Sequence, residues 1–256
     1  MILSDERSWP TDVVRYLEAH RELFWTWEAR RRSGAEPLSN EQARRLAHEY
    51  DIAVGGLRQS LLPHTLHGFH CTRLTESEIA HILVNGMRPP DRALLCERID
   101  QLRVTGVIDR DTANRLKEQN QAHESNRAGM IWFCFFPPRI AGQGGIERFF
   151  RFWGGEALYN SHERDPVTGP VLATIGVPCL VEVDVPIASL PRYTFLDQHL
   201  YRQFLINRGF ETSEPCDHED RSTRPIPVSS VCCIIRFPDP EFIALTDCNK
   251  WSPRLR

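Results

Sequence analysis

Residues 67–90 read HGFHCTRLTESEIAHILVNGMRPP, and the fold turns on how this stretch is read. Its opening, with Gly68 and the β-tolerant residues Phe69, Cys71 and Thr72, predicts a short strand. A fully punctuated helix follows. Thr75 stands as N-cap, Glu78 as its capping-box partner, Ile79, Ile82 and Leu83 as the buried stripe, and Gly86 as the stop. His70 therefore lies on a strand whose exit is fixed. Such an exit can hold a side chain and the neighbouring backbone amides in place for a ligand.

Just upstream, HTLHGFH spaces His64, His67 and His70 by three, which on a helix would gather them on one face as metal ligands. Pro63 and Gly68 break any such helix, so no metal site is expected. Before that point the chain reads as helical. In PTDVVRYLEAHRELFWTWEARRR the apolar residues Val13, Leu17, Phe24 and Trp27 mark one buried face, and in SNEQARRLAHEY Ser39 and Gln42 form a capping box. The domain reading is thus a helical N-terminal region over 1–60 and an α+β domain over 61–256.

Downstream, residues 91–121 predict two helices broken at Thr105 and Gly106, with Asp109 or Asp111 opening the second, and read as an insertion or lid. GMIWFCFFPP predicts a strand ended by two prolines. IAGQGGIERFFRFWGGEALYN predicts a glycine-rich turn, a short aromatic helix and a second glycine pair. VPCLVEVDVPIASL predicts a strand with Leu180, Glu182 and Asp184 alternating against Val181, Val183 and Val185, and TFLDQHLYRQFLINRGF predicts a helix ending at Gly209. RPIPVSSVCCIIRF turns into a last strand. One strand, a helix, an insertion and then further strands favour an α+β protein over a doubly wound sheet.

Composition limits the function. A chain of 256 residues with 41% hydrophobic and 25% charged residues is ordinary for a folded protein. The formal net charge of -3 gives no globally basic surface to attract nucleic acid or anionic membrane. No apolar run reaches the roughly 18 residues that span a bilayer, and MILSDERSWP lacks the apolar core of a signal peptide, so a cytoplasmic protein is expected. The eight cysteines contain no CxxC pair, and a disulfide framework is not expected. A set of Cys216, His218 and Cys248 does not have zinc-ligand spacing. No GxSxG, Walker A or GxGxxG motif is present. Cys71 beside His70 does not make a nucleophile–base pair, because adjacent strand residues point to opposite faces.

The order FHCTRLTESEIAHILVNGMRP, GMIWFCFF, VPCLVEVDVP, RPIPVSSVCCII resembles the ADP-ribosyltransferase superfamily, which includes toxins and RNA 2'-phosphotransferases, over roughly residues 60–245. Its most specific part is the His70-Cys71-Thr72 strand leading into the capped helix and NGMRP. The resemblance implies a split mixed β-sheet core, NAD as substrate, a protein or nucleic-acid acceptor, no membrane, and in many relatives a toxin or defence role. By position, His70 would bond the ribose next to nicotinamide and the backbone at Cys71 would hold the carboxamide, with Thr72 beside it. A neutral imidazole offers one donor and one acceptor, which suits sugar hydroxyls. The competing role is a half-buried strand histidine with a satisfied hydrogen bond.

An aromatic platform for the cationic nicotinamide would come from Trp132, Phe133 or Tyr159. A carboxylate must stabilise the ribosyl cation, as in glycoside hydrolysis. Glu219 has the family's offset from the IP turn, although DRSTR is polar where an apolar strand is expected, so Glu214 or Asp220 stand as substitutes. Glu156 competes, because Gly154 and Gly155 allow close approach and Arg148 and Arg151 lie a turn before it. Arg73, Arg148 or Arg151 would neutralise pyrophosphate. The alternatives are an RNA 2'-phosphotransferase, an NAD glycohydrolase, or a non-catalytic binding module whose contact surface is RFFRFWGGEALY.

Overall fold

A computed structural model describes residues 1–31, 39–191, 195–212, 214 and 216–255. In chain order its helices are α1 (Thr11–Ala19), α2 (Arg21–Arg31), α3 (Asn40–Leu61), α4 (Glu76–Asn85), α5 (Arg92–Val104), α6 (Arg110–Glu118), α7 (Gly142–Arg151), α8 (Glu156–His162), α9 (Thr168–Thr174), α10 (Leu196–Ile206) and α11 (Pro240–Thr246). The strands are β1 (Thr65–Leu74), β2 (Ile131–Cys134), β3 (Val177–Pro186), β4 (Glu219–Ser222) and β5 (Val231–Arg236). The class is α+β, as expected. The chain divides into a unit of Met1–Leu66 with Pro186–His218 and a unit of His67–Val185 with Glu219–Arg256. The boundary read at 60/61 thus falls at 66/67, and residues 186–218 join the N-terminal helices.

In the first unit, Val13, Leu17 and Phe24 are buried as their periodicity implies, together with Leu57 of α3 and Phe204 of α10, whereas Trp27 is only half-buried, stacked on Tyr50 at 4.0 Å. The Ser39–Gln42 capping box opens α3. The helix read from Thr194, itself outside the described residues, runs over α10 and stops before Gly209, whose φ of +86° only glycine adopts easily. The rings of His199 and His218 lie 5.0 Å apart here. Burial, with the charge of His199 adding, pushes His218 down to about 3. An unfolded histidine takes its proton near pH ~6.5. The unfolded chain therefore binds more protons between that pH and about 3, and stability falls as the pH falls through this window. The melting temperature is expected to drop steadily from about pH 7 to about pH 5, with a shallower slope in His218→Asn. An unchanged slope in the variant would contradict this assignment.

The second unit carries the five-stranded sheet, in the order β4-β2-β1-β3-β5. The pairings β1·β2, β2·β4 and β3·β5 are antiparallel, and the sheet is an antiparallel one rather than the mixed sheet expected. The pairing between neighbouring strands is uneven. A single register pair, Phe69↔Cys134, joins β1 to β2, whereas β2 and β4 pair over four residues from Ile131↔Ser222 to Cys134↔Glu219. The alternation read for β3 holds, with Val181, Val183 and Val185 fully buried and Glu182 and Asp184 half-buried. Leu180, placed on the polar side by that alternation, is also fully buried, because it packs with Phe69, Phe150 and Phe242.

Two readings change in this unit. The GQGG run is the first turn of α7, not a loop ahead of it. Residues 91–121 do form two helices, with Asp109 capping the second through the Thr112 amide. They are not a detached lid, because Leu95, Ile99 and Leu116 share a buried cluster with Trp153, Leu158 and Leu172.

Candidate functional site

The capping box opens α4 as its sequence implies, but of the expected stripe only Ile79 is buried, with Ile82 half-buried and Leu83 49% exposed. Thr75 Oγ1 accepts from the Glu78 amide, and Glu78 Oε2 accepts from the Thr75 amide at 2.7 Å. The carboxylate does more than cap. It accepts from Arg98 Nε at 2.6 Å and from Trp153 Nε1 at 3.0 Å, tying α4 to α5 and to the segment after α7. Burial opposes its ionisation, but the Arg98 charge and these hydrogen bonds outweigh that and hold Glu78 below the usual carboxylate range. The Arg98 guanidinium also lies over the Trp153 ring at 4.6 Å.

Beside this clasp, where β1 and β2 part, lies a cavity of about 470 Å3, within the range of small-molecule sites. His70, Cys71 and Thr72 of β1 line it with Trp132, Phe133 and Cys134 of β2. Arg148 of α7, Glu156 and Tyr159 of α8 and Glu219 of β4 also line it, whereas Arg73 and Arg151 of the expected set do not. His70 and Glu219, 149 positions apart in sequence, thus meet around one space.

His70 Nδ1–H donates to the Trp132 carbonyl at 2.9 Å, bridging the two strands just past their single register pair. With that proton committed, Nε2 of the neutral ring carries the lone pair. Burial holds the imidazole below its ordinary value, so the neutral form prevails near pH ~7. The ring packs edge-on to Phe133 at 6.2 Å. Cys71 is buried, and its thiol is pushed well up, first by a hydrogen bond with Cys134 and then by burial. It is a poor nucleophile, in keeping with the sequence reading.

The carboxylates separate clearly. Glu219 opens β4 and is exposed, opposite Cys134, whose Sγ stands 3.9 Å from Glu219 Oε1. The polar EDRS run is therefore a strand after all, a short one recruited by pairing with β2. Alternation puts Trp132 and Cys134 on the face that Glu219 shares, and Asp220 on the other, where it is 1% exposed. Glu214 belongs to the first unit and pairs with Arg31 and Arg202. Glu156 starts α8 after Gly154 and Gly155, whose φ values of +87° and +61° require glycine. Its Oε2 lies 3.3 Å from Arg127 Nε.

Of the three arginines assigned to pyrophosphate, one lines the cavity. Arg73 is buried and donates to the carbonyls of Ile175 and Phe150, which makes it a core clasp. Arg151 pairs with Glu147 and donates to the Pro253 carbonyl, pinning the C-terminal segment. Arg148 lines the cavity, held by Glu163 at 2.8 Å and stacked over Tyr159 at 4.0 Å. Tyr159 is thereby a support rather than an open platform, since Phe149 packs on it at 5.7 Å as well. Its hydroxyl is raised by burial first and by Glu156 second. Phe133 is buried, and Trp132, although 43% exposed, carries the Arg221 guanidinium over its ring at 5.1 Å.

Sequence reasoning missed Arg98 and Arg127, both of which line the cavity. No local signal marks them. The partner of Arg98 on α4 is twenty residues away, and Arg127 sits in the connection leading into β2. No family model, curated protein or solved structure matches the chain. None of the described helices is long and apolar enough to cross a membrane.

Proposed function

We propose that the second unit is an ADP-ribosyltransferase-like catalytic domain that cleaves the nicotinamide–ribose bond of NAD and passes ADP-ribose to a protein or nucleic-acid acceptor. The observation that carries this reading is the single cavity that collects His70, Cys71, Trp132, Arg148 and both candidate glutamates. In the proposed reaction the His70 Nε2 lone pair accepts from a ribose hydroxyl, and Trp132 offers its face to the cationic ring. The C–N bond breaks with its electron pair going to nicotinamide, which leaves neutral. The ribosyl cation that remains is stabilised by the Glu219 carboxylate until the acceptor's nucleophile adds to it. Arg148, Arg98 and Arg127 line the cavity as N–H donors for the diphosphate, each with guanidinium N–H groups beyond its carboxylate contact.

Two features favour this reading over its rivals. An RNA 2'-phosphotransferase needs a surplus of basic charge at the pocket, yet each of the three arginines is balanced by a carboxylate: Glu163, Glu78 and, for Arg127, Glu124 and Glu156. A binding module using RFFRFWGGEALY needs apolar side chains outside, yet Phe150, Trp153, Leu158 and Tyr159 are all buried. The test is incubation of the purified chain with labelled NAD and a cell lysate, following nicotinamide release and the fraction that takes the label. Release without transfer would point to the glycohydrolase. No release, with no NAD-induced rise in melting temperature, would overturn the proposal.

A further inference from the structure

Away from the cavity, on the β1-β3-β5 side of the sheet, a second group of chemically active side chains comes together. His67 of β1 stands between two carboxylates of β3: its Nδ1 is 3.0 Å from Asp184 Oδ1 and its Nε2 is 2.7 Å from Glu182 Oε1. Glu182 Oε2 accepts from the Cys233 thiol at 2.8 Å. Donor atoms of His67, Asp184 and Cys232 lie within 4.8 Å of one another.

The backbone is shaped to make this group. Along β3·β5 the register runs Glu182↔Cys233 and then Val183↔Val231, so Cys232 is the extra residue of a β-bulge. A bulge re-aims a side chain that regular alternation would send to the opposite face. Here it turns Cys232 towards Asp184. Without the bulge, Cys232 and Cys233 would point to opposite faces and only one could join the carboxylates.

The histidine geometry is the second indication. A neutral imidazole has one N–H and one lone pair, yet both ring nitrogens of His67 face carboxylate oxygens at hydrogen-bond distance. The shorter contact, to Glu182, suits Nε2–H donating. With Nε2–H so placed, Nδ1 and Asp184 Oδ1 face each other at 3.0 Å, and a metal ion between them is ligated by both, just as a proton there is shared by both.

We propose that His67 Nδ1, Asp184 and Cys232 form a site for a zinc-class divalent transition-metal ion, with Glu182 as the outer carboxylate that orients His67. Imidazole, carboxylate and thiolate are the donors such ions take, with three protein ligands leaving one position for water. A tetrahedral ion with bonds of about 2.0–2.3 Å holds its donors ~3.5 Å apart. Exposed Cys232 and Asp184, whose side chain is 47% exposed, have the freedom to close from their present spacing. A carboxylate on the far nitrogen of a ligating histidine is the usual way its tautomer and ring orientation are fixed. The proposal stands independently of the NAD reading, since none of its ligands lines the cavity.

The experiment is titration of the metal-free chain with Co2+, followed by absorption, and with Zn2+, followed by calorimetry. One equivalent of Co2+ is expected to bind with a thiolate-to-cobalt charge-transfer band that Zn2+ abolishes by displacement. Cys232→Ser should lose the band, and Asp184→Asn should weaken binding at least ~10-fold. Glu182→Gln should keep the band but weaken binding ~10- to 100-fold, the signature of an outer-shell partner. Cys233→Ser should keep the band. Because Cys232 is exposed, its replacement is compatible with folding, and circular dichroism of each variant checks this. Absence of the band in the native chain, or its survival in Cys232→Ser, would overturn the assignment.

Discussion

Glu219→Gln is expected to slow nicotinamide release from NAD by about 10²–10³-fold while leaving NAD affinity within a few-fold of the native value. The argument is electrostatic. A unit positive charge ~4 Å from a carboxylate gains about 4 kcal/mol at an effective dielectric near 20, and each ~1.4 kcal/mol in the barrier is tenfold in rate. Only part of that charge has developed at the transition state, which brings the expectation into the stated range. Glutamine keeps the size and hydrogen-bonding atoms of the side chain but not its charge. The substitution should cost little stability, because Glu219 is exposed and glutamine keeps an oxygen for the Cys134 Sγ contact. Glu156→Gln is the comparison. Its carboxylate is already engaged by Arg127 at 3.3 Å, so its loss should cost less than ~10-fold. Steady-state kinetics on both variants decide between the two glutamates, and a reversed order would move the cation-stabilising role to α8.

How much of this was legible in the sequence depends on whether the signal was local. The Thr75–Glu78 capping box and the β3 alternation are written within a few residues of themselves, and the structure reproduces both. β4 was not legible as a strand, because EDRS has no apolar alternation and becomes extended only through its pairing with β2. Arg73 and Arg151 looked like anion binders for the opposite reason. Their charge is visible in sequence, but the backbone carbonyls that consume it, at Ile175, Phe150 and Pro253, are visible only after folding. The β5 bulge is likewise a matter of register: nothing in VCCIIR announces which residue is left over when β3 pairs with it. Composition and alternation report what a residue prefers, whereas a site depends on which partners reach it.

His70→Ala is the second large effect, with an expected loss of about 10- to 100-fold in kcat/KM, carried more by KM than by kcat. In the folded chain Nδ1–H is spent on the Trp132 carbonyl, so the group left for substrate is the acceptor Nε2. Two consequences separate this role from a merely structural one. First, a side chain that can accept at the same reach should restore part of the binding, so His70→Gln is expected to lie between the native protein and His70→Ala in KM. Second, the acceptor exists only while the ring is neutral. Burial holds the His70 imidazole below its ordinary value, so KM for NAD should stay flat as the pH falls through the usual histidine range near ~6.5 and rise only at lower pH. A KM that rose at the ordinary histidine pH would mean that the ring titrates freely and is not the buried acceptor. Equal losses in His70→Ala and His70→Gln, accompanied by equal falls in melting temperature, would instead reduce His70 to the strand tie that its bond to Trp132 already makes it.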